Sequence, residues 1–111
     1  MSRTADIIFN VHLDENNVPE KIVWSAEDSG FNKKECKSMM ISLWDKEEEV
    51  TMGIDLWTAD MLIDDMNIHF HQTFLKLADT YRRATNNSEA AEMIQTFAVD
   101  FAEKAGLSKK K

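Results

Sequence analysis

The chain is poor in the residues that make special sites. It has one cysteine, one proline and three glycines in 111 residues. A single thiol, Cys36, excludes an intramolecular disulfide and fits a reducing compartment. No histidine lies near it in sequence, so nothing there activates a catalytic thiolate. With so few glycines there is no phosphate-cradling loop and no dinucleotide fingerprint. Positive charge is scarce as well: 13 Lys and Arg stand against 20 Asp and Glu, a net charge of −7. That balance argues against nucleic acid and against an anionic membrane surface, since both need clustered cations. The one basic run is residues 109–111, past Gly106, where solvent fraying is expected. No apolar run approaches the ~20 residues of a membrane helix, and residues 1–6 show no leader pattern. We therefore expect a cytoplasmic protein with no direct membrane insertion.

What is present is a core-forming composition, 43% hydrophobic, in a length suited to one domain over residues 1–111. The first half alternates. Ile7, Phe9, Val11 and Leu13 repeat at period two, as do Ile22, Trp24 and Ala26, which predicts a hairpin around Asn16, Asn17 and Pro19. Pairing Leu13 with Ile22, Val11 with Trp24 and Phe9 with Ala26 places every apolar residue on one face and residues 16–19 in the loop. Residues 25–37 read as a connecting loop, with Phe31 tucked back onto the core. A second hairpin follows. Met39, Ile41 and Leu43 share a face, as do Val50, Met52, Ile54 and Leu56, if Leu43 pairs with Val50 around Asp45-Lys-Glu-Glu48. The second half reads as helix. Met66, Phe70, Phe74, Leu77 and Tyr81 keep three-and-four spacing from Asp64 to Thr85. Asn86 with Glu89 resembles a capping box for a second helix carrying Ala90, Ile94, Phe97, Phe101 and Ala105, stopped by Gly106. The expected fold is α+β in the order ββββαα: one four-stranded antiparallel sheet covered by an antiparallel helical hairpin.

Few residues suggest chemistry. His69 and His71 lie ~200° apart on a helix, so they cannot hold one ion together. Asp65 and His69 are i,i+4 neighbours, an ordinary charge pair at a helix start. The acidic residues cluster in turns and helix starts, as a solvated surface does. We therefore expect no catalytic residue, no cofactor and no metal. The tryptophans stand out instead. Trp24 is in phase with the core. Trp44 and Trp57 fall on the opposite face of the second hairpin with Met40, and Ile8 and Val23 extend that outer face. Exposed Trp and Met mark interaction surfaces, so Ile8, Met40, Trp44 and Trp57 are the candidate interaction face. Its expected use is self-association as a dimer or docking of a partner protein.

Four phrases, in order, carry a family resemblance: Leu13-Asp-Glu-Asn-Asn-Val-Pro-Glu-Lys-Ile-Val-Trp24, Ser42-Leu-Trp-Asp45, Asp55-Leu-Trp-Thr58 and Phe70-His-Gln-Thr-Phe74. Over roughly residues 7–105 the chain resembles the gliding motility protein GldC family of Bacteroidetes. The resemblance implies a non-enzymatic cytoplasmic accessory to the gliding machinery, acting through protein–protein interaction. It supplies no catalytic motif to carry over. One departure is Met61-Leu62, where the family pattern has Met-Pro before the first helix, so the helix can begin before Asp64. Two further readings compete. Strand-then-helix order and acidity are similar to the export chaperone SecB, which implies an adaptor. A small-molecule binder or enzyme with an unrecognised pocket is the other.

Overall fold

The computed structural model describes residues 2–107, so the run 109–111 lies outside the described residues. The chain divides into two compact units, Met1–Met61 and Leu62–Lys111. The first holds five strands: β1 (Ile8–Leu13), β2 (Pro19–Ala26), β3 (Phe31–Cys36), β4 (Ser38–Trp44) and β5 (Thr51–Trp57). They form two antiparallel sheets, one ordered β1-β2-β3 and one pairing β4 with β5. The second unit holds helices α1 (Ile63–Thr85) and α2 (Ser88–Lys104). The protein is thus α+β, with five strands in two sheets rather than four in one.

The additional strand is β3. Within residues 25–37, expected to be a loop, β2 runs on to Ala26, and a short 3-10 turn at Glu27–Ser29 then ends on Gly30 at φ 86°. β3 then pairs with β2, Cys36 opposite Ile22 and Lys34 opposite Trp24. Its sequence, Phe-Asn-Lys-Lys-Glu-Cys, is nearly all exposed and shows no apolar alternation. Lys33 has φ 52°, and its N–H donates to Ser25 Oγ at 2.9 Å, at the point where the register slips. A bulge of this kind on a polar strand erases the period-two pattern. Phe31, expected to tuck onto the core, is instead 40% exposed, with its ring centroid 4.8 Å from that of the half-buried Trp24.

Both hairpins keep the expected faces but shift their pairing by two residues. Val11 pairs with Ile22 and Phe9 with Trp24, and Leu43 pairs with Met52. An even shift preserves the face, which is why the faces survive. The cause is the same in each loop. Asp14 Oδ1 accepts the N–H groups of Asn16 (2.8 Å) and Val18 (3.0 Å), and Asp45 Oδ2 accepts those of Glu47 (3.1 Å) and Glu48 (2.7 Å). Each loop then passes through one left-handed residue, Asn17 or Glu49, before closing at Val18 or Val50. These Asp-seeded loops are wider than the turns expected.

The helical unit follows the sequence closely. α1 starts at Ile63, one residue before Asp64, and ends at Thr85. The two asparagines divide the work between them. Asn86, at φ 60°, closes α1, and Asn87 caps α2 by accepting the Ala90 N–H at 3.0 Å. The cap is therefore Asn87, not Asn86. α2 ends in a Schellman motif: Leu107 N–H reaches Ala102 O (2.8 Å), Gly106 N–H reaches Glu103 O (3.1 Å), and Gly106 takes φ 83°.

Candidate protein-interaction surface

β4 and β5 form a two-stranded ribbon whose faces follow from the pairs Ser38↔Trp57, Met40↔Asp55, Ser42↔Gly53 and Trp44↔Thr51. Met40, Trp44, Asp55 and Trp57 therefore lie on one face, and Met39, Ile41, Leu43, Met52, Ile54 and Leu56 lie on the other. Gly53 sits where the strands approach closely, because a Cβ there would come 2.8 Å from Ile41 O. The central position of the tryptophan face must stay bare.

Trp44 is 68% exposed and Trp57 55% exposed. Neither ring pairs with another aromatic among the described residues. They stand at opposite ends of the ribbon. Thr51, opposite Trp44, is six residues from Trp57, or about 20 Å along a strand. Half-buried Met40 and the Asp55 carboxylate occupy the space between. The turn beyond Trp44 adds Asp45, Glu47, Glu48 and Glu49. The face is thus two aromatic anchors set in negative charge. Ile8 lies elsewhere. It is exposed, but it sits on β1 opposite Ser25, in the three-stranded sheet.

Trp57 also lines a shallow apolar hollow of about 380 Å³ with Val18, Pro19, Leu56 and Ala59. The hollow exists because the chain after β5 bonds back to the first hairpin, with Ala59 N–H donating to Pro19 O at 3.3 Å. Thr58 is buried and anchors the same segment. Its N–H donates to Lys37 O at 2.9 Å and its hydroxyl to Asp60 Oδ1 at 2.7 Å. Lys37 Nζ lies 3.5 Å from the other Asp60 oxygen. The Thr58 hydrogen bond, then the Lys37 charge, hold the Asp60 carboxyl below the usual carboxylate range. Val18 and Pro19 were not among the sequence candidates. A contact made across some forty residues leaves no local signal.

A second depression, about 580 Å³, lies on the three-stranded sheet among Asn10, His12, Lys21, Val23, Lys33 and Glu35. Burial, aided by the Glu35 charge, pushes the Cys36 thiol up against a hydrogen bond at Ser38, so the thiolate is disfavoured at neutral pH. His69 and His71 both lie in α1. Among the described residues, no three His, Cys, Asp or Glu side chains gather as metal ligands. No described helix is long and apolar enough to cross a membrane.

No curated protein and no solved structure is significantly similar to the chain. The family model described as gliding motility-associated protein GldC-like matches residues 19–107. That span takes in β2 to β5 and both helices, and with them the whole tryptophan ribbon. The chain belongs to the GldC-like family.

Proposed function

We propose that this protein is a non-enzymatic cytoplasmic accessory of the gliding machinery that docks a partner protein on the β4–β5 ribbon. The observation that carries the reading is the pair of exposed indoles, Trp44 and Trp57, on one face with Met40. Trp and Met are enriched in interface cores, and aromatic anchors of this kind dominate binding energy. The Asp55 carboxylate and the acidic turn select the partner. A complementary surface carries Lys or Arg at its rim and apolar pockets about 20 Å apart. Family membership supports the link to gliding.

A chaperone-like adaptor is the second reading. It is favoured by the reverse face of the ribbon, where Leu43, Met52 and Ile54 are also exposed. An open ribbon apolar on both faces would suit varied extended clients better than one fixed surface.

Affinity purification from a gliding host, comparing wild type with Trp44→Ala/Trp57→Ala, tests both. The proposal expects one or a few basic partners that bind the purified wild type directly and bind the double variant at least ~100-fold more weakly. Unchanged binding by the double variant would refute the ribbon. A broad spread of unfolded clients would favour the adaptor.

A further inference from the structure

Each strand of the β4–β5 ribbon pairs on one side only, because the two form a sheet of their own. Which residues bond inward follows from two hydrogen bonds at the ribbon's ends. Asp45 N–H donates to Val50 O at 2.9 Å, and Thr58 N–H donates to Lys37 O at 2.9 Å. Bonded and unbonded pairs alternate along an antiparallel ladder, so the odd-numbered residues of β4 aim their main-chain groups at β5. Met40, Ser42 and Trp44 aim theirs outward. Among the described residues these outward groups have no main-chain partner. Neither α1 nor α2 can provide one, since a helix bonds its interior N–H and C=O groups to its own turns. The edge takes another strand or stays with water.

Edge strands usually carry a feature that blocks further pairing. β3 carries Lys33, Lys34 and Glu35 with a bulge, β5 carries Asp55, and β1 carries His12 beside an irregular step at Leu13. β4, Ser-Met-Met-Ile-Ser-Leu-Trp, has no charged residue, no proline and no break in register. We infer that β4 pairs antiparallel with β4 of a second copy, about a two-fold axis beside Ile41 and normal to the sheet, to give one four-stranded sheet. The sequence around Ile41 is what selects a second copy. The two-fold sets Ser38 opposite Trp44 and Ser42 opposite Met40, so on that face each large side chain meets a small one. Met40 and Ser42 both aim main-chain groups outward, so they form bonded pairs. On the other face Ile41 meets Ile41, and Met39 meets Leu43. The first charges beyond this span are Lys37 and Asp45, each four residues from Ile41 and of opposite sign, so each meets its opposite in the second copy. A chain of net charge −7 can thus pair with itself along this strand without setting like charges against one another. The inference goes beyond the partner reading above and does not rest on it, because it uses the edge of β4 and leaves the tryptophan face of both copies open on one side of the sheet.

Disulfide crosslinking and sedimentation equilibrium of the full chain test it. Ile41 and Ile54 share one face and lie opposite each other across the ribbon. In the four-stranded sheet two Ile41 side chains are directly opposed, at a spacing that a disulfide spans, whereas two Ile54 side chains are three strand spacings, about 14 Å, apart. Cys36→Ser/Ile41→Cys should therefore oxidise to a covalent dimer, and Cys36→Ser/Ile54→Cys should not. Wild type should sediment as a dimer at micromolar concentration. Ser42→Pro removes an outward N–H and leaves the ladder to β5 intact, so it should dissociate at least ~100-fold more readily. Far-UV circular dichroism checks that this variant folds, and the crosslinking pair decides the matter if it does not. Trp57→Ala, on the outer strand, should remain as dimeric as wild type even where it has lost a partner, which separates a failure here from a failure of the partner reading. A strictly monomeric wild type, equal crosslinking at Ile41 and Ile54, or a folded and still dimeric Ser42→Pro would overturn the inference. So would a segment of another protein bound along β4 in place of a second copy.

Discussion

The two exposed aromatic surfaces of this protein differ in one respect that separates their uses. In the helical hairpin the rings touch one another: Phe74 contacts Phe70, Phe97 and Phe101 at centroid distances of 5.1 to 6.1 Å. In the ribbon Trp44 and Trp57 have no aromatic neighbour among the described residues and stand at opposite ends of one face. Rings that meet edge to face stabilise their own unit, because each contact adds to the area removed from water. Rings that meet nothing contribute little to the fold. The difference teaches that exposure alone does not define a binding anchor. An exposed Phe inside a cluster already supports its own unit, and an isolated exposed Trp is available to a partner.

The sharpest way to break this comparison is to delete the centre of the cluster. Phe74→Ala should destabilise the protein by about 3 kcal/mol, since one substitution removes three aromatic contacts and leaves a cavity in the flank. Denaturant unfolding followed by helical circular dichroism measures it. A change below ~1 kcal/mol would mean that the rings cluster without stabilising the hairpin.

The ribbon has its own structural weak point, and it is not a tryptophan. Gly53→Ala should cost about 2 kcal/mol, because the added methyl meets the Ile41 carbonyl oxygen at 2.8 Å and backbone must move. Since the strain lies between Trp44 and Trp57, partner affinity should fall with it. A neutral Gly53→Ala would show that β4 and β5 separate easily there, and the fixed spacing of the two anchors would go with it.

How much of this was legible in the sequence follows the same divide. The helices were read to within about a residue because their signals are local: a three-and-four stripe, paired asparagines and Gly106. Only the assignment of the cap slipped, from Asn87 to Asn86, since either asparagine can cap or take φ 60°. The strands were harder. β3 escaped because a polar strand broken at Lys33 has no period to detect. Both hairpin registers were short by one pair because an aspartate that captures two backbone N–H groups enlarges the loop, and side-chain capture is invisible to alternation. Parity still placed Met40, Trp44 and Trp57 on a common face. It could not place Ile8 in another sheet, nor Val18 and Pro19 beside Trp57.

The cap assignment gives a smaller test. Asn87→Ala should cost about 1 kcal/mol by leaving the Ala90 N–H without its acceptor. Asn86→Gly should be neutral or slightly stabilising, because glycine takes the φ 60° conformation without strain. Thermal unfolding of the two variants separates them, and equal losses would mean that the asparagines share the cap.

The smallest expected change in stability is at Trp44, and it completes the contrast with Phe74. At 68% exposure Trp44 has lost only about a third of its surface to the fold. At ~25 cal/mol per Å² that sets an upper bound near 2 kcal/mol, and compactness of the unfolded chain lowers it further. Trp44→Ala should therefore cost no more than about 1 kcal/mol, and Trp57→Ala somewhat more, because Trp57 also walls the hollow with Val18 and Pro19. The same two substitutions should have the largest effect on partner binding. A protein in which Trp44→Ala destabilised the fold as much as Phe74→Ala would have its indole held by the structure rather than left for a partner. The separation of a self-supporting aromatic cluster from a free aromatic face would then fail at its first anchor.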